Sequence, residues 1–468
     1  MQSLPNTKIG LTIDIDNANE TLLAQAINNG GTFLRMRVFS QDIEKLEFAI
    51  TIARKVSPYL PIIVEPQGKF LRINNLEKDL ILKRYDKLAI IPKGWADQNE
   101  KKVEIDYPDL AKEVVVGTKI FMNNHQIPLQ VTQIYGKTVI CKVLANGILV
   151  KGDPIDIEIE NLDPNRLTKD DSDILAKAIK FGADYLVIPG VDNVSQLRQI
   201  KKGVSSRQIK YLVKIKGSKG IKNFDEIIQE ADGIFIDPEE VASDISLYEA
   251  IVAIKQMIQK VRRLGKNSII EVKASKLISL NSEEISSIIN LVQDRVDCLN
   301  ITLKAREANP ETVSGIVNTV AHTVINTEKF LTANPVTGDT LASDTTDTLC
   351  RYVSNVVDEL DLKGALILTR TGKTAYSLAR HRLKTPIWSV TMNLWLGRQI
   401  SLLHAIRSFI VDTLPDDRDE LVSKAVKLIF EHGEVDAEDK IALVMGSTVE
   451  ESGLNSIVEV IAVKDVLA

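Results

Sequence analysis

Short apolar runs alternate with amphipathic stretches in two parts of the chain, before about residue 66 and after about residue 171. The runs predict buried strands and the stretches predict helices, so the alternation indicates βα units with a parallel sheet. Three strands are predicted before the break and five after it: Lys8–Asp14, Thr32–Val38, Pro61–Glu65, Asp184–Ile188, Tyr211–Lys216, Gly233–Asp237, Ser268–Val272 and Asp297–Thr302. Eight parallel strands close a TIM (β/α)8 barrel; an open doubly wound sheet is the alternative, although it seldom needs so many strands.

Between about Ile73 and Asp163 the pattern changes to a period of two. Its clearest runs are Gly117–Asn123, Leu129–Ile134, Thr138–Leu144 and Gly147–Val150. Turn residues such as Tyr135-Gly-Lys137 separate them at hairpin spacing. The segment therefore predicts a small antiparallel β-barrel domain inserted into the larger one.

A third region follows an irregular stretch from Asn334 to Asp344. Helical stretches separate five further predicted strands: Leu362–Leu368, Pro386–Val390, Ser408–Val411, Ile441–Met445 and Val458–Val463. This indicates a C-terminal α/β domain with a five-stranded sheet. The predicted domains are residues 1–72 with 164–330 for the barrel, 73–163 for the insert and 331–468 for the C-terminal domain.

The composition of the chain argues against several classes of function. The 468 residues carry a formal net charge of −5, which gives no argument for a nucleic-acid or anionic-membrane partner. No apolar run reaches the length of a membrane-spanning helix, and the N-terminus lacks the pattern of a signal peptide. The three cysteines are far apart and the five histidines are scattered, so no metal site of these residues is predicted. We expect a soluble protein of the cytoplasm.

The stretch Tyr211–Gly217 has an unusual end. Lys214 lies near the carboxyl end of a buried strand, and Gly217 follows to turn the chain. In a barrel this is where ligands bind, so Lys214 is a candidate site residue. The alternative is a surface strand end whose lysines extend into water.

A second candidate is the loop Thr369–Thr374, which joins a strand to a helix. Such a loop, rich in hydroxyl groups and glycine at a helix N-terminus, is able to bind phosphate. Its candidate residues are Thr369, Arg370, Thr371, Gly372, Lys373 and Thr374. The alternative is a helix start capped by Thr371 or Thr374.

The order of barrel, insert and α/β domain resembles the pyruvate kinase family, and so do individual motifs. Thr7-Lys-Ile9 resembles the family's opening TKI strand, and Val213-Lys-Ile-Lys-Gly217 resembles AKIEN. Further similar stretches are Arg35-Met-Arg-Val-Phe-Ser40, Glu65-Pro-Gln-Gly-Lys-Phe-Leu-Arg72, Asn223-Phe-Asp-Glu-Ile227 and Asp232-Gly-Ile-Phe-Ile236. The resemblance covers nearly the whole chain and implies phosphoryl transfer from phosphoenolpyruvate to ADP.

The resemblance also implies which residues would act. Arg35, Arg72 and Lys214 correspond to residues that grip phosphate in the family, and Arg35 and Lys214 are the retained catalytic candidates. The loop Thr369–Thr374 resembles the one that takes an effector phosphate. The arginine of the second effector turn is missing from Gly446-Ser-Thr448, so we expect single-phosphate binding at best.

The residues that would bind cations are altered. At the divalent-metal site the resemblance places Lys216 where the family has a glutamate, with Glu240 at or next to the second carboxylate. At the monovalent site it places Arg37, Phe39 or Ser40, Glu65 and Pro66. A lysine ammonium cannot coordinate a metal ion. We hypothesise that Lys216 pairs with Glu240 or Glu239 and that Arg37 pairs with Glu65, with plain drift as the alternative.

Other positions also depart from the family. Val272 replaces the threonine linked with proton delivery, Asn123-Asn-His125 replaces the lid's acidic turn, and Gln67 replaces a lysine. The expected function is a non-catalytic, glycolysis-related pseudoenzyme that binds, regulates or assembles, and that keeps a small phosphate-bearing anion at the barrel mouth. The alternative is a divergent active pyruvate kinase using Mg²⁺ and K⁺; otherwise no cofactor is expected. The resemblance further implies a homo-oligomer, tetramer or dimer, or a hetero-oligomer with an active relative.

Overall fold

The computed structural model describes residues 4–15, 18–66, 71–76, 78–105, 107, 110–123, 127–150, 153–158, 169–204, 206, 208–274, 280–303, 309–331, 345–446 and 455–467. The chain forms two compact units, one of residues 1–66 with 169–468 and one of residues 67–168. Each is described by itself below. The three predicted domain boundaries stay predictions.

The first unit begins with alternating strands and helices. They are β1 (Lys8–Asp14), α1 (Glu20–Asn28), β2 (Phe33–Val38), a 3₁₀ turn (Ser40–Lys45), α2 (Leu46–Val56) and β3 (Ile62–Pro66). Helix α1 starts where the sequence predicts a cap, because the Asn19 side chain accepts a hydrogen bond from the Leu22 amide at 2.9 Å.

The second unit is a small β barrel. Its elements are β4 (Leu71–Asn75), β5 (Leu80–Leu82), β6 (Lys87–Pro92), β7 (Lys102–Ile105), α3 (Leu110–Glu113), β8 (Lys119–Met122), β9 (Ile127–Tyr135), β10 (Thr138–Val143), β11 (Gly147–Leu149) and β12 (Pro154–Glu158). The closed sheet runs β10-β6-β7-β4-β12-β8-β9, and β5 pairs with β11 in a separate two-stranded ribbon. The predicted insert is confirmed, but it is not wholly antiparallel because β6 and β7 pair in parallel.

After the insert the βα alternation resumes. The elements are α4 (Lys169–Lys180), β13 (Tyr185–Val191), α5 (Val194–Gly203), β14 (Lys210–Ile215), α6 (Gly217–Lys222), α7 (Phe224–Glu230), β15 (Gly233–Ile236), α8 (Pro238–Val241), α9 (Leu247–Arg263), β16 (Asn267–Lys273), α10 (Ser282–Gln293), β17 (Cys298–Thr302) and α11 (Pro310–Glu328). The eight parallel strands close in the order β1-β17-β16-β15-β14-β13-β3-β2, so the predicted TIM barrel is confirmed. Gly217 has φ +60°, a left-handed conformation that favours glycine and lets the chain leave β14 and enter α6.

The C-terminal part is an α/β sheet. Its elements are α12 (Thr345–Glu359), β18 (Ala365–Leu368), α13 (Lys373–Ala379), β19 (Ile387–Thr391), α14 (Leu394–Ile400), β20 (Ile406–Ile410), α15 (Arg418–Glu431), β21 (Lys440–Gly446), β22 (Asn455–Ala462) and α16 (Val463–Leu467). The sheet order is β20-β19-β18-β21-β22, with β22 antiparallel, and the five predicted strands are confirmed. Strand β18 starts three residues later than predicted, because the amide of Leu362 bonds back to Val357 and finishes helix α12.

An apolar layer closes the interior of the large barrel. It is formed by Phe33, Ile63, Tyr185, Val187, Leu212, Phe235, Ile269 and Cys298, with Leu402 from the C-terminal part packed against them. The next inward-facing positions along several of these strands are polar or charged, which is where the candidate site lies. No helix in the described ranges is long and apolar enough to cross a membrane.

Candidate active site at the barrel mouth

Six ionisable side chains fill the upper interior of the barrel. We call them the barrel charge network: Arg35, Glu65, Lys214, Asp237, Glu240 and Glu271. Each lies on a barrel strand or just beyond the end of one, so that parallel strands bring side chains that are far apart in sequence to the same level.

Arg35 bridges two carboxylates. Its Nε donates to Glu65 at 2.6 Å and its Nη1 donates to Glu271 at 2.9 Å, while the guanidinium lies 4.3 Å from the ring centre of Phe235. The side chain is only 2% exposed. Burial alone would lower the pKa of Arg35, but the charges of Glu65 and Glu271 outweigh it and raise the pKa above the ordinary value. The arginine is therefore permanently charged and held in place on both sides.

Lys214 also bridges two carboxylates. Its Nζ lies 3.0 Å from Glu65 and 2.6 Å from Glu240, and its side chain is 3% exposed. Burial would lower the pKa of Lys214, but Glu240 and Glu65 raise it above the ordinary lysine value. Burial would likewise raise the pKa of Glu65, yet Arg35 and Lys214 hold it below its usual range. Arg35 and Lys214, two of the three cations that the resemblance assigns to phosphate binding, are thus neutralised from within the protein.

Glu271 is the functional residue that the sequence reasoning missed. It accepts hydrogen bonds from Arg35 and from the Thr302 hydroxyl, the latter at 2.5 Å, and it shares a hydrogen bond with Asp237. Burial would raise its pKa, but Arg35 and the hydrogen bond with Asp237 bring it well below the usual value. A glutamate two positions after Ile269, in an otherwise apolar predicted strand, was the available signal, because that spacing puts it on the same inward face.

Asp237 holds the proton of this pair. Burial raises its pKa to about 7, and the negative charge of Glu271 adds to the shift. Its Oδ1 accepts from the backbone amide of Glu239 at 3.0 Å, which caps α8, and lies 3.3 Å from Nζ of Lys273. Because this carboxyl keeps its proton up to near neutral pH, the two adjacent buried acids share one negative charge and do not repel each other.

The predicted ion pairs are wrong in their partners. Glu240 pairs with Lys214, and Glu239 pairs at 2.6 Å with Lys273 instead of Lys216. Lys216 lies one residue beyond β14, at the N-cap of α6, so its side chain starts from the rim of the barrel.

Arg37 pairs with Asp14 at 3.1 Å, whereas Glu65 pairs with Arg35 and Lys214. Arg37 and Glu65 are direct neighbours in the strand register. Strands in a barrel are tilted, so register neighbours stand at different heights in the interior, and Glu65 reaches the arginine one layer below. Glu65 and Glu240 are thus compensated by the retained Arg35 and Lys214, and not by the residues Arg37 and Lys216 that the hypothesis named.

These residues do not fit the family's metal ions. Glu240 bonds to Lys214 through Oε1, Glu65 is shared by two cations, and burial raises the pKa of Asp237. Within the ranges that the structure describes, no group of three or more His, Cys, Asp or Glu side chains is arranged to hold a metal ion. Oxygen ligands already bonded to ammonium or guanidinium groups are poor ligands for Mg²⁺ or K⁺.

Several predicted site residues lie partly or wholly outside the described residues. Arg72 lies on β4 and Ser40 lies in the 3₁₀ turn, but neither side chain is among those described. Gln67 and residues 124–126 and 447–450 are also outside the described part. Val272 is buried and apolar, as the sequence implies.

The loop Thr369–Thr374 enters helix α13 through a glycine. Gly372 occupies the N-cap position of α13 with φ +84°, and its amide donates to the Thr369 hydroxyl at 2.9 Å. Neither Thr371 nor Thr374 is the cap, which corrects that alternative. Arg370 and Lys373 are exposed beside the loop.

A closed eight-stranded parallel barrel, a β-barrel insert after its third strand and a C-terminal α/β sheet together define a three-part α/β-barrel protein. The sequence matches "Pyruvate kinase, barrel domain" over residues 4–311 and "Pyruvate kinase, alpha/beta domain" over residues 347–461. The chain belongs to the pyruvate kinase family.

Curated relatives agree over most of the chain. The pyruvate kinase of Geobacillus stearothermophilus is 25% identical over 479 residues, which covers 99% of this chain and 81% of that protein. The pyruvate kinase of Eimeria tenella is 25% identical over 417 residues, covering 86% and 78% respectively. That of Agaricus bisporus is 28% identical over 315 residues, covering 65% and 59%.

Proposed function

We propose that this chain is a non-catalytic member of the pyruvate kinase family. The observation that carries the proposal is that Arg35 and Lys214 are buried and each bonded to two carboxylates. A phosphate group would have to displace these carboxylates and would then meet their negative charge. Arg35 and Lys214, which correspond to phosphate-binding residues of the family, form ion pairs that stabilise the interior of the barrel.

The loss of metal ligands supports the same conclusion. Phosphoryl transfer depends on positioning and on neutralising the charge of the transferred group, which the metal ions supply in kinases. Removing one group that stabilises the charge of the transition state costs on the order of 3–4 kcal/mol, or several hundredfold in rate. Here Lys216 stands at one ligand position and Glu240 is already engaged.

The first prediction is that the purified chain shows no pyruvate kinase turnover. In a coupled assay with phosphoenolpyruvate, ADP, Mg²⁺ and K⁺, we expect a rate equal to that of the Lys214→Ala variant, because no step depends on that lysine. Turnover above the blank that disappears in Lys214→Ala would establish the alternative, a divergent active enzyme that recruits metal through Asp237, Glu239 or Glu240.

Calorimetry under the same conditions locates any anion. We propose that the loop Thr369–Thr374 binds one phosphate group of a ligand, since Arg370 and Lys373 are exposed there. Heat with inorganic phosphate that persists in Lys214→Ala and vanishes in Lys373→Ala supports this location. Heat with phosphoenolpyruvate that requires Lys214 would place the anion at the barrel mouth instead.

We also propose that the chain acts as a subunit of a homo-oligomer in the cytoplasm. Apolar side chains at the start of α9 are exposed: Leu247, Tyr248, Ile251 and Val252. Contiguous exposed apolar residues are typical of association surfaces. The three cysteines are free buried thiols, which suits a reducing compartment.

The second prediction concerns this surface. Val252→Lys is expected to reduce the mass measured by light scattering after size exclusion, because it places a charge in the apolar contact. Gln259→Lys lies further along the exposed face of α9 and is the matched control. A wild-type mass near the 51.9 kDa of one chain would reject the homo-oligomer and leave a hetero-oligomer with an active relative.

A further inference from the structure

The inserted β barrel carries an exposed patch that its own fold does not use. We call it the ribbon patch: Ile81, Arg84, Tyr85, Lys87, Lys142 and Ile148. It spans the β5–β11 ribbon, the turn from β5 to β6 and the end of β10. Backbone contacts connect these parts: the Tyr85 amide donates to Val143 at 2.7 Å, and the Arg84 amide donates to the Asn146 side chain at 2.8 Å.

The apolar part of the patch lies on the ribbon. Ile81 and Ile148 are directly opposite each other across β5 and β11, and they are 62% and 51% exposed. Leu82 and Leu149 on the other face pack into the core of the β barrel. The ribbon therefore anchors itself with one face and presents a cross-strand isoleucine pair on the other.

The charged part of the patch is uncompensated. Lys87 and Lys142 are directly opposite each other on β6 and β10, an arrangement of like charges that destabilises a sheet. Neither of them, nor Arg84, has an ion pair within the described part of the chain. The acid of the adjoining turn, Asp86, is already bonded to Lys101.

Tyr85 stands between the two parts in an unfavourable backbone conformation. Its φ is +77°, which for a bulky side chain costs on the order of 1–3 kcal/mol. The ring is 59% exposed, with Arg84 at 4.9 Å and Lys142 at 4.6 Å from its centre. Backbone strain of this kind is concentrated at binding sites, where the surrounding structure holds a side chain in the position that binding requires.

We propose that the ribbon patch binds an extended, acidic polypeptide segment that also carries apolar side chains. The cations would pair with its carboxylates, and the isoleucine pair would contact its apolar positions. Each strand of the two-stranded ribbon pairs with only one other strand in the described part, so an added strand has an edge to join. A nucleic acid would use the cations but gain nothing from two isoleucines, and this favours a polypeptide.

The test uses the full-length protein and a short fluorescent peptide in which glutamate alternates with valine. We expect binding that weakens as salt rises, measured by anisotropy, and no binding of the matched peptide with lysine in place of glutamate. Lys87→Glu with Lys142→Glu is expected to raise Kd by about tenfold or more, since two charge pairs become repulsive. Ile81→Thr is expected to weaken binding without changing its salt dependence.

The control variant is Lys93→Glu with Lys137→Glu, which changes the charge equally at the other ends of β6 and β10. Its Kd is expected to match that of the wild type. An equal loss in the control would show general electrostatic attraction and overturn the proposal. Tighter binding of a single-stranded oligonucleotide or of anionic vesicles than of the acidic peptide would also overturn it, whatever the catalytic assay shows.

Discussion

Replacing Arg35 by methionine is expected to lower the free energy of unfolding by about 3–5 kcal/mol, the usual effect of leaving buried charges without a partner. Glu65 would keep only Lys214, and Glu271 would keep no cation within hydrogen-bond distance in the described structure. A residue kept only for binding substrate would not have this effect on stability. Urea titration followed by circular dichroism gives the measurement.

Arg37→Met is the matched control, two residues further along β2. Its side chain is 31% exposed and pairs with one carboxylate among the described residues, Asp14, so its loss is expected to cost about 1 kcal/mol or less. Adding Glu271→Gln to Arg35→Met is expected to recover part of the loss, since it removes the stranded charge. Equal destabilisation by Arg35→Met and Arg37→Met would contradict a structural role for the network.

The architecture was predictable because it rests on repetition. All eight barrel strands and all five C-terminal strands follow from short, largely apolar runs, each of which needs only local sequence to be recognised. Where the prediction failed, the local pattern was ambiguous: β6 and β7 are short strands whose parallel pairing depends on the loop between them.

The charge network was only half predictable. Lys214 was singled out from its position at a strand end, and Arg35, Glu65 and Glu240 from the family resemblance. Their pairing depends on strand tilt and side-chain reach, which a sequence does not encode locally. Glu271 was not predicted, because the resemblance assigns a role to its neighbour Val272 and none to Glu271. A buried glutamate facing inward in an apolar strand implies a buried cation, and Arg35 was the available one.

The network also explains why a proton belongs in this barrel. Arg35 and Lys214 bring two positive charges, while Glu65, Glu240 and Glu271 bring three negative ones. A fourth charged carboxylate at Asp237 would leave the buried group more negative still, and its neighbour Lys273 is half-exposed. Protonation of Asp237 is therefore part of the stable arrangement.

The consequence is a dependence of stability on pH that should disappear in Asp237→Asn. The pKa of Asp237 is about 7 in the folded protein, against 3.8 as its ordinary value. As pH rises from about 4 to about 7, the unfolded chain releases this proton while the folded protein keeps it. Stability should then fall by on the order of 4 kcal/mol over that range and level off above it.

Glu271 affects the stability of the folded protein in a different pH range. Its pKa is lowered on folding, so its contribution is complete at neutral pH and is lost only as pH falls below the ordinary glutamate value of 4.5. Asparagine at position 237 cannot ionise, can still cap α8 and can still donate to Glu271. Urea midpoints measured from pH 5 to 8 should therefore lose the downward slope contributed by Asp237.

Asp225→Asn, at a carboxylate that is 71% exposed, is expected to keep the wild-type slope. Infrared spectra give an independent reading, because the protonated carboxyl band present at pH 6 should be missing in Asp237→Asn. An unchanged slope in that variant would mean that Asp237 ionises with Glu271 still beside it, and that Lys273 suffices to compensate both charges. The barrel mouth would then tolerate an additional negative charge, which would weaken the case against anion binding there.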